Sequence, residues 1–169
     1  IVTIHLVVAE TILGLLLFTL VWSYTLNSPQ TDGDMVIVRW AGTAALATMG
    51  VLISGSYIVG QGAGSACSGW PLCNGGLMPS FDLAWLHMGH RLLALVGGLV
   101  AAWAVFLAWR RRGTLSAVGW VSGIAGGVLV IQMVVGAANP WTGFSSLARV
   151  LHLTLATVLW GSFVVLGAL

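Results

Sequence analysis

Five long apolar stretches, separated by short polar segments, dominate the hydrophobic pattern of this chain. Each contains the roughly 20 mostly apolar residues that a membrane-crossing helix needs. The stretches cover about residues 1–26, 36–60, 83–109, 115–138 and 147–169. The pattern predicts an all-α, polytopic membrane protein. One transmembrane helix within residues 1–35 precedes a four-helix transmembrane bundle at 36–169, and the longest loop of that bundle covers 61–82.

The composition agrees with this prediction. Of the 169 residues, 59% are hydrophobic and only 6% are charged, whereas a soluble domain carries about a quarter charged residues. Membrane lipid must therefore surround most of the surface. A net charge of +2 is too small to indicate a nucleic-acid partner. Because the chain starts with Ile1 inside an apolar run without a signal-peptide pattern, we expect it to be a piece of a longer protein.

Arginine positions predict the orientation in the membrane. Arg110, Arg111 and Arg112 lie between the third and fourth apolar stretches, and Arg39 lies near the start of the second. The positive-inside rule places these segments in the cytoplasm. We therefore expect a multi-pass protein of the cell (plasma or inner) membrane, with the loop 61–82 on its outer face.

Four histidines lie at one depth, near the outward ends of their helices: His5, His87, His90 and His152. Polar groups inside a bilayer are costly and usually functional. Zinc prefers three or four ligands in a tight tetrahedron, whereas histidines on separate helices at one depth suit the two axial positions of a heme. We select His90 and His152 as the axial pair, with His87 lining the heme edge or replacing a ligand. The alternative is that the histidines only form hydrogen bonds between helices.

Other polar residues near this depth add to the hypothesis. Arg91 follows His90 directly, and Arg149 precedes His152 by three residues. A guanidinium pairs well with a carboxylate, so both arginines are candidate partners of heme propionates. Arg149 is equally consistent with an anchor at the membrane surface. Glu10 lies inside the first helix, where a carboxyl should be neutral or paired, and its role is open.

Both cysteines of the chain, Cys67 and Cys73, lie six residues apart in the outward loop. An oxidising compartment favours a disulfide between them. Two roles are open for this pair. It is either a structural staple that holds the loop over the heme, or a redox-active pair that exchanges electrons with a partner.

The cysteine loop and the following helix resemble heme A synthases. The loop reads Gly64-Ser65-Ala66-Cys67-Ser68-Gly69-Trp70-Pro71-Leu72-Cys73-Asn74-Gly75, with the Cys-x-x-Trp-Pro-x-Cys core intact, and His90-Arg91 and His152 match the ligand positions of that family. The resemblance implies two fused four-helix bundles, each with a histidine pair and a cysteine pair. It also implies a role in cytochrome oxidase assembly, as an enzyme that oxidises the C8 methyl of heme O to the formyl of heme A with oxygen from water. One bundle would hold the substrate heme and the other a heme b.

The position three residues before His90 indicates which bundle is present. The substrate-binding half of the family usually has a Glu there, and this chain has His87. The resemblance therefore implies the heme b half, with His5 as one ligand of a second heme, the heme O substrate or heme A product. The chain would then lack the presumed catalytic Glu, and its catalytic residues are unknown. Implied partners are heme O, heme O synthase, an electron donor and a second copy of the chain.

Two other functions compete with this one. A b-type cytochrome would use the same His90/His152 heme to carry electrons without converting heme O. A heme-free thiol–disulfide protein would use Cys67 and Cys73 as its active pair, but such proteins usually have closer Cys-x-x-Cys spacing.

Overall fold

A computed structural model describes residues 1–26, 32–111 and 117–169, and within these the side chains of 32–34 are not described. The described chain forms five α-helices and no strands: α1 Val2–Thr25, α2 Asp32–Gly60, α3 Asp82–Arg111, α4 Ala117–Trp141 and α5 Ser146–Ala168. All five are long and apolar enough to cross a membrane. The predicted fold class, an all-α multi-pass membrane protein, is confirmed.

Helix α4 ends later than the sequence predicts. The Asn139-Pro140-Trp141 segment was expected to open the loop, but the helix includes Pro140 and ends at Trp141. Pro140 has no backbone N–H to donate to the carbonyl four residues before it, and the helix ends one residue later. The side-chain amide of Asn139 donates to the Val135 carbonyl at 3.0 Å. At the end of the helix, the backbone N–H of Thr142 donates to the Ala138 carbonyl at 2.9 Å. At the other end of the bundle, Arg112 and Gly113 lie outside the described residues.

Helices α2 to α5 form a ring in which each helix packs on two neighbours. Helix α2 contacts α3 and α5, and α4 contacts the same two helices from the opposite side. Within the described ranges, α3 and α5 have no Cα atoms within 8 Å of each other and lie diagonally across the bundle. Helix α1 packs outside the ring, against α5 and α2. Side chains from α3 and α5 can therefore meet on the bundle axis.

The largest cluster of packed apolar side chains lies in one half of the bundle. We call this half the arginine end, because it contains Arg110 and Arg111, and the opposite half the histidine end. The main buried cluster lies at the arginine end and is rich in small residues, with Ile37, Ala41, Ala44, Ala101, Ala104, Ala108, Ala125, Leu129, Leu159, Phe163 and Leu166. Small residues let membrane helices approach closely. The separate buried cluster at the histidine end comprises Cys67, Cys73 and Ala84 beneath the loop.

Candidate functional site

Two loops close the histidine end of the bundle. One loop, 61–81, joins α2 to α3, and the other, 142–145, joins α4 to α5. The ring centroids of Trp70 and Trp141 are 6.3 Å apart in an edge-on contact. The rings of His87 and Phe144 make a second such contact at 6.0 Å. The loop that carries the cysteines is thereby held against the end of the α4–α5 hairpin.

His90 lies in the third turn of α3 and leans against α2. Its Nδ1 is 2.8 Å from the hydroxyl oxygen of Ser54. The ring also packs on Gly55, since a Cβ at that glycine would lie 3.1 Å from His90 Cε1. A serine and a glycine that are adjacent on α2 thus form a seat for the imidazole.

His152 occupies the matching position in the other hairpin. It lies on α5 and packs on Gly136 of α4, where a Cβ would come within 2.9 Å of its Cε1. Its Nδ1 is buried and has no hydrogen-bond partner among the described residues. His90 and His152 are thus two half-buried imidazoles on diagonal helices, each packed on a glycine of a neighbouring helix.

These features fit a flat ligand held between two axial imidazoles. A glycine on the neighbouring helix leaves room for each ring, and the main apolar cluster fills only the opposite half of the bundle. On α3, Gly98 faces open space, since a Cβ there would meet nothing within 4 Å. No group of three His, Cys, Asp or Glu side chains that could hold a metal ion occurs in the described part of the chain. The arrangement suits a heme better than a zinc ion with three or four protein ligands.

His87 lies one turn from His90, towards the loop, and is buried. Its Nδ1 donates to the Ala63 carbonyl at 3.0 Å, because a carbonyl oxygen only accepts. The contact with Phe144 fixes the ring on its other side. Both contacts hold His87 under the loop, beside the axial pair.

Arg91 holds the cysteine loop. Its guanidinium donates to the carbonyls of Gly69 at 2.7 Å, Pro71 at 3.1 Å and Leu72 at 3.3 Å. All three carbonyls lie within the ring that the Cys67–Cys73 disulfide closes. The predicted disulfide is therefore present, and Arg91 connects it to the helix of His90.

Arg149 is exposed, and among the described residues its guanidinium makes one weak hydrogen bond, to the Ser146 hydroxyl at 3.4 Å. The structure thus separates the two arginines that the sequence groups as candidate propionate partners. Arg91 is engaged by backbone carbonyls, whereas Arg149 presents most of its guanidinium to the surroundings.

His5 and Glu10 lie on α1, outside the ring of four helices. His5 is exposed and lines a shallow surface depression with Ile1, Ile4 and Val8. Glu10 is buried between helices and accepts a hydrogen bond from the Thr157 hydroxyl of α5. Its second oxygen has no partner among the described side chains. The sequence-based expectation that Glu10 is neutral or paired fits this contact with Thr157.

Sequence reasoning missed the seats of the two imidazoles. Ser54 and Gly55 lie near the end of α2, and Gly136 near the end of α4, at the same depth as the histidines. A hydroxyl and two glycines at that depth were a usable signal.

Comparison with known proteins supports the resemblance. The model of the cytochrome oxidase assembly protein family matches residues 1–164. A heme A synthase of Staphylococcus epidermidis is 33% identical over 106 residues, which is 60% of this chain and 35% of that protein. A heme A synthase of Staphylococcus aureus is 32% identical over the same shares. No solved structure matches the chain.

The chain spans about a third of the length of these curated relatives. The family match, by contrast, covers nearly the whole chain, including all the histidines and both cysteines. The chain therefore belongs to the cytochrome oxidase assembly protein family and resembles heme A synthases.

Proposed function

We propose that this chain is a heme-binding unit of a membrane oxidoreductase of heme A biosynthesis. His90 and His152 would be the axial ligands of a heme b. The observation that carries the proposal is the pair itself. Two imidazoles lie on diagonal helices at one depth, each seated on a glycine of the next helix. Family membership supplies the biochemical context.

The residues around the pair would fix the ligands and exclude water. A heme held by His90 and His152 would supply one-electron transfer. Ser54 and Gly55 would orient His90, and Gly136 would orient His152. The surrounding apolar helices keep the site at low dielectric, which is one of the means by which a protein tunes a heme.

Polar residues at the histidine end would contact the edge of the heme. Arg149 is the better candidate for a propionate, because no carbonyl of the described residues accepts a hydrogen bond from its guanidinium. Arg91 would act from the loop side, where it is anchored on Gly69, Pro71 and Leu72. His87 would line the heme edge beneath the loop.

In the whole protein we propose conversion of the C8 methyl of heme O to the formyl of heme A. This chain would act as its heme b half. His5, which faces away from the ring of four helices, would ligate the second heme, the substrate or product. The proposal further includes an outward cysteine loop, heme O synthase as the source of substrate, an electron donor, and association with a second copy of the chain.

Spectroscopy of the purified protein tests the heme assignment. We expect a low-spin heme b in the reduced-minus-oxidised spectrum and in pyridine-hemochrome analysis, lost in both His90→Ala and His152→Ala. His5→Ala is the matched control, because that histidine lies outside the ring, and it should keep the heme b signal. If the heme spectrum were unchanged in both His90→Ala and His152→Ala, this axial pair would be excluded.

A b-type cytochrome that only carries electrons would use the same site. The two functions differ in whether heme O is consumed. Extraction of hemes from membranes that contain heme O and the whole protein should yield heme A. A stable heme b signal without heme A would favour the electron carrier.

A further inference from the structure

The two imidazoles of the candidate site differ in their hydrogen bonds. His90 Nδ1 lies 2.8 Å from the Ser54 hydroxyl, whereas His152 Nδ1 is buried without a partner among the described residues. Both rings are otherwise seated alike, each on a glycine. The hydroxyl of Ser54 is therefore what distinguishes one ligand from the other.

The contacts of Ser54 determine which nitrogen of His90 carries the proton. The Ser54 hydroxyl also lies 2.8 Å from the Val51 carbonyl of its own helix. A carbonyl oxygen only accepts, and a hydroxyl has one hydrogen to donate. With that hydrogen on Val51, the Ser54 oxygen accepts from His90 Nδ1–H. The lone pair of His90 is then on Nε2, the nitrogen left free to bind a metal.

We infer that Ser54 is a positioning residue for heme ligation: it holds His90 in the Nδ1–H form, leaves Nε2 free to bind the iron, and would make His90 the stronger donor of the pair. This inference rests on the proposed heme site. A hydrogen bond from the far nitrogen orients a ligating histidine and raises its basicity. A more basic ligand favours the ferric over the ferrous state, so Ser54 lowers the midpoint potential of the heme.

Four variants isolate the hydroxyl. Ser54→Ala removes it, while Ser54→Thr and Ser54→Val have the same shape as each other and differ only in carrying a hydroxyl or a methyl. Ser56→Ala is the matched control. That serine lies two residues further along the same helix and bonds to the Thr3 hydroxyl at 3.2 Å, away from His90.

The readouts are the midpoint potential of the bound heme, by optical potentiometric titration, and the affinity of the apoprotein for heme. We expect Ser54→Ala and Ser54→Val to keep a low-spin spectrum, to raise the potential, and to weaken heme binding on the order of tenfold. Ser54→Thr and Ser56→Ala should behave as the original protein. The comparison of Thr with Val holds even if the smaller Ala loosens the helix packing.

Two failures are distinguishable. If the protein binds heme through His90 but Ser54→Val and Ser54→Thr have equal potentials, the role of Ser54 is refuted and the heme site stands. An equal shift in Ser56→Ala would also refute it, as a general loosening of α2. If the original protein binds no heme, or keeps its spectrum in His90→Ala, the proposed site fails and the role of Ser54 fails with it.

Discussion

An alanine at Gly136 should displace His152 from its seat. The new Cβ would lie 2.9 Å from Cε1 and 3.4 Å from Nδ1 of the imidazole. Carbon atoms in ordinary contact are about 3.5–4.0 Å apart, so the ring must retreat by roughly 0.6 Å or more. Metal–ligand distances hold to within about 0.2 Å. The methyl group and a correctly placed axial ligand are thus incompatible without movement of α4 against α5.

The expected cost is a loss of heme affinity of about 10- to 100-fold, by analogy with the loss of groups that orient a metal ligand. This corresponds to about 1.4–2.8 kcal/mol. The opposite sign would follow from helix propensity alone, because alanine is favoured over glycine in a helix by about 1 kcal/mol. A weaker heme site in a helix of higher propensity would therefore identify the contact with His152 as the cause.

Heme titration of the purified apoprotein, followed by Soret absorbance, measures this effect. Gly127→Ala is the control on the same helix, since its Cβ would meet nothing within 4 Å. Gly55→Ala should cost less than Gly136→Ala, because its Cβ would lie 3.1 Å from His90 Cε1. Equal affinity of Gly136→Ala and Gly127→Ala would refute the reasoning that Gly136 seats an axial ligand.

Three further predictions concern the loop and the outer helix. Arg91→Ala should release the cysteine loop, because hydrogen bonds made by a charged group stabilise a structure by about 1.5–3 kcal/mol, and amide hydrogen exchange within residues 67–73 should become faster. The exposed Arg149→Ala should leave that exchange unchanged, and equal exchange in both variants would exclude a role of Arg91 in holding the loop. Replacing Cys67 and Cys73 together by alanine should lower the free energy of unfolding by roughly 2–3 kcal/mol in the loop-entropy model. Dithiothreitol should lower the free energy of unfolding of the original protein by a similar amount, and an effect of dithiothreitol on the double variant would contradict the assignment of this stabilisation to the disulfide. Thr157→Val should lower the free energy of unfolding in detergent by about 1–3 kcal/mol, because it removes the hydroxyl that donates to the buried carboxyl of Glu10. Thr154→Val, at an exposed position of the same helix, is the control, and equal stability of the two variants would show that the contact between Thr157 and Glu10 contributes nothing.

The number of helices and their approximate bounds followed from the sequence. Length and hydropathy suffice for this, because a bilayer permits few structures other than helices long enough to cross it. The common depth of the four histidines stays a prediction from their positions along the helices. Helix ends were less certain. The sequence places the end of α4 near residue 138, whereas Pro140 lies inside the helix.

The partners of each polar side chain required the tertiary structure. Arg91 and Arg149 are alike in the sequence, yet one binds three carbonyls of the loop and the other is exposed. The difference arises because the loop folds back over the start of α3 and only there meets a guanidinium. Such contacts cannot be predicted from the hydropathy of the sequence.

The residues that pack on the two imidazoles show most clearly what the sequence determines and what only the tertiary structure decides. The sequence by itself determined that His90 and His152 lie at one depth in an apolar bundle. That α3 and α5 are diagonal, and that Ser54, Gly55 and Gly136 face the two rings, depends on how the helices are ordered around the axis and rotated about themselves. The rotation of each helix depends on how all four helices of the bundle pack together. The sequence of one uniformly apolar helix does not specify which of its faces points inward.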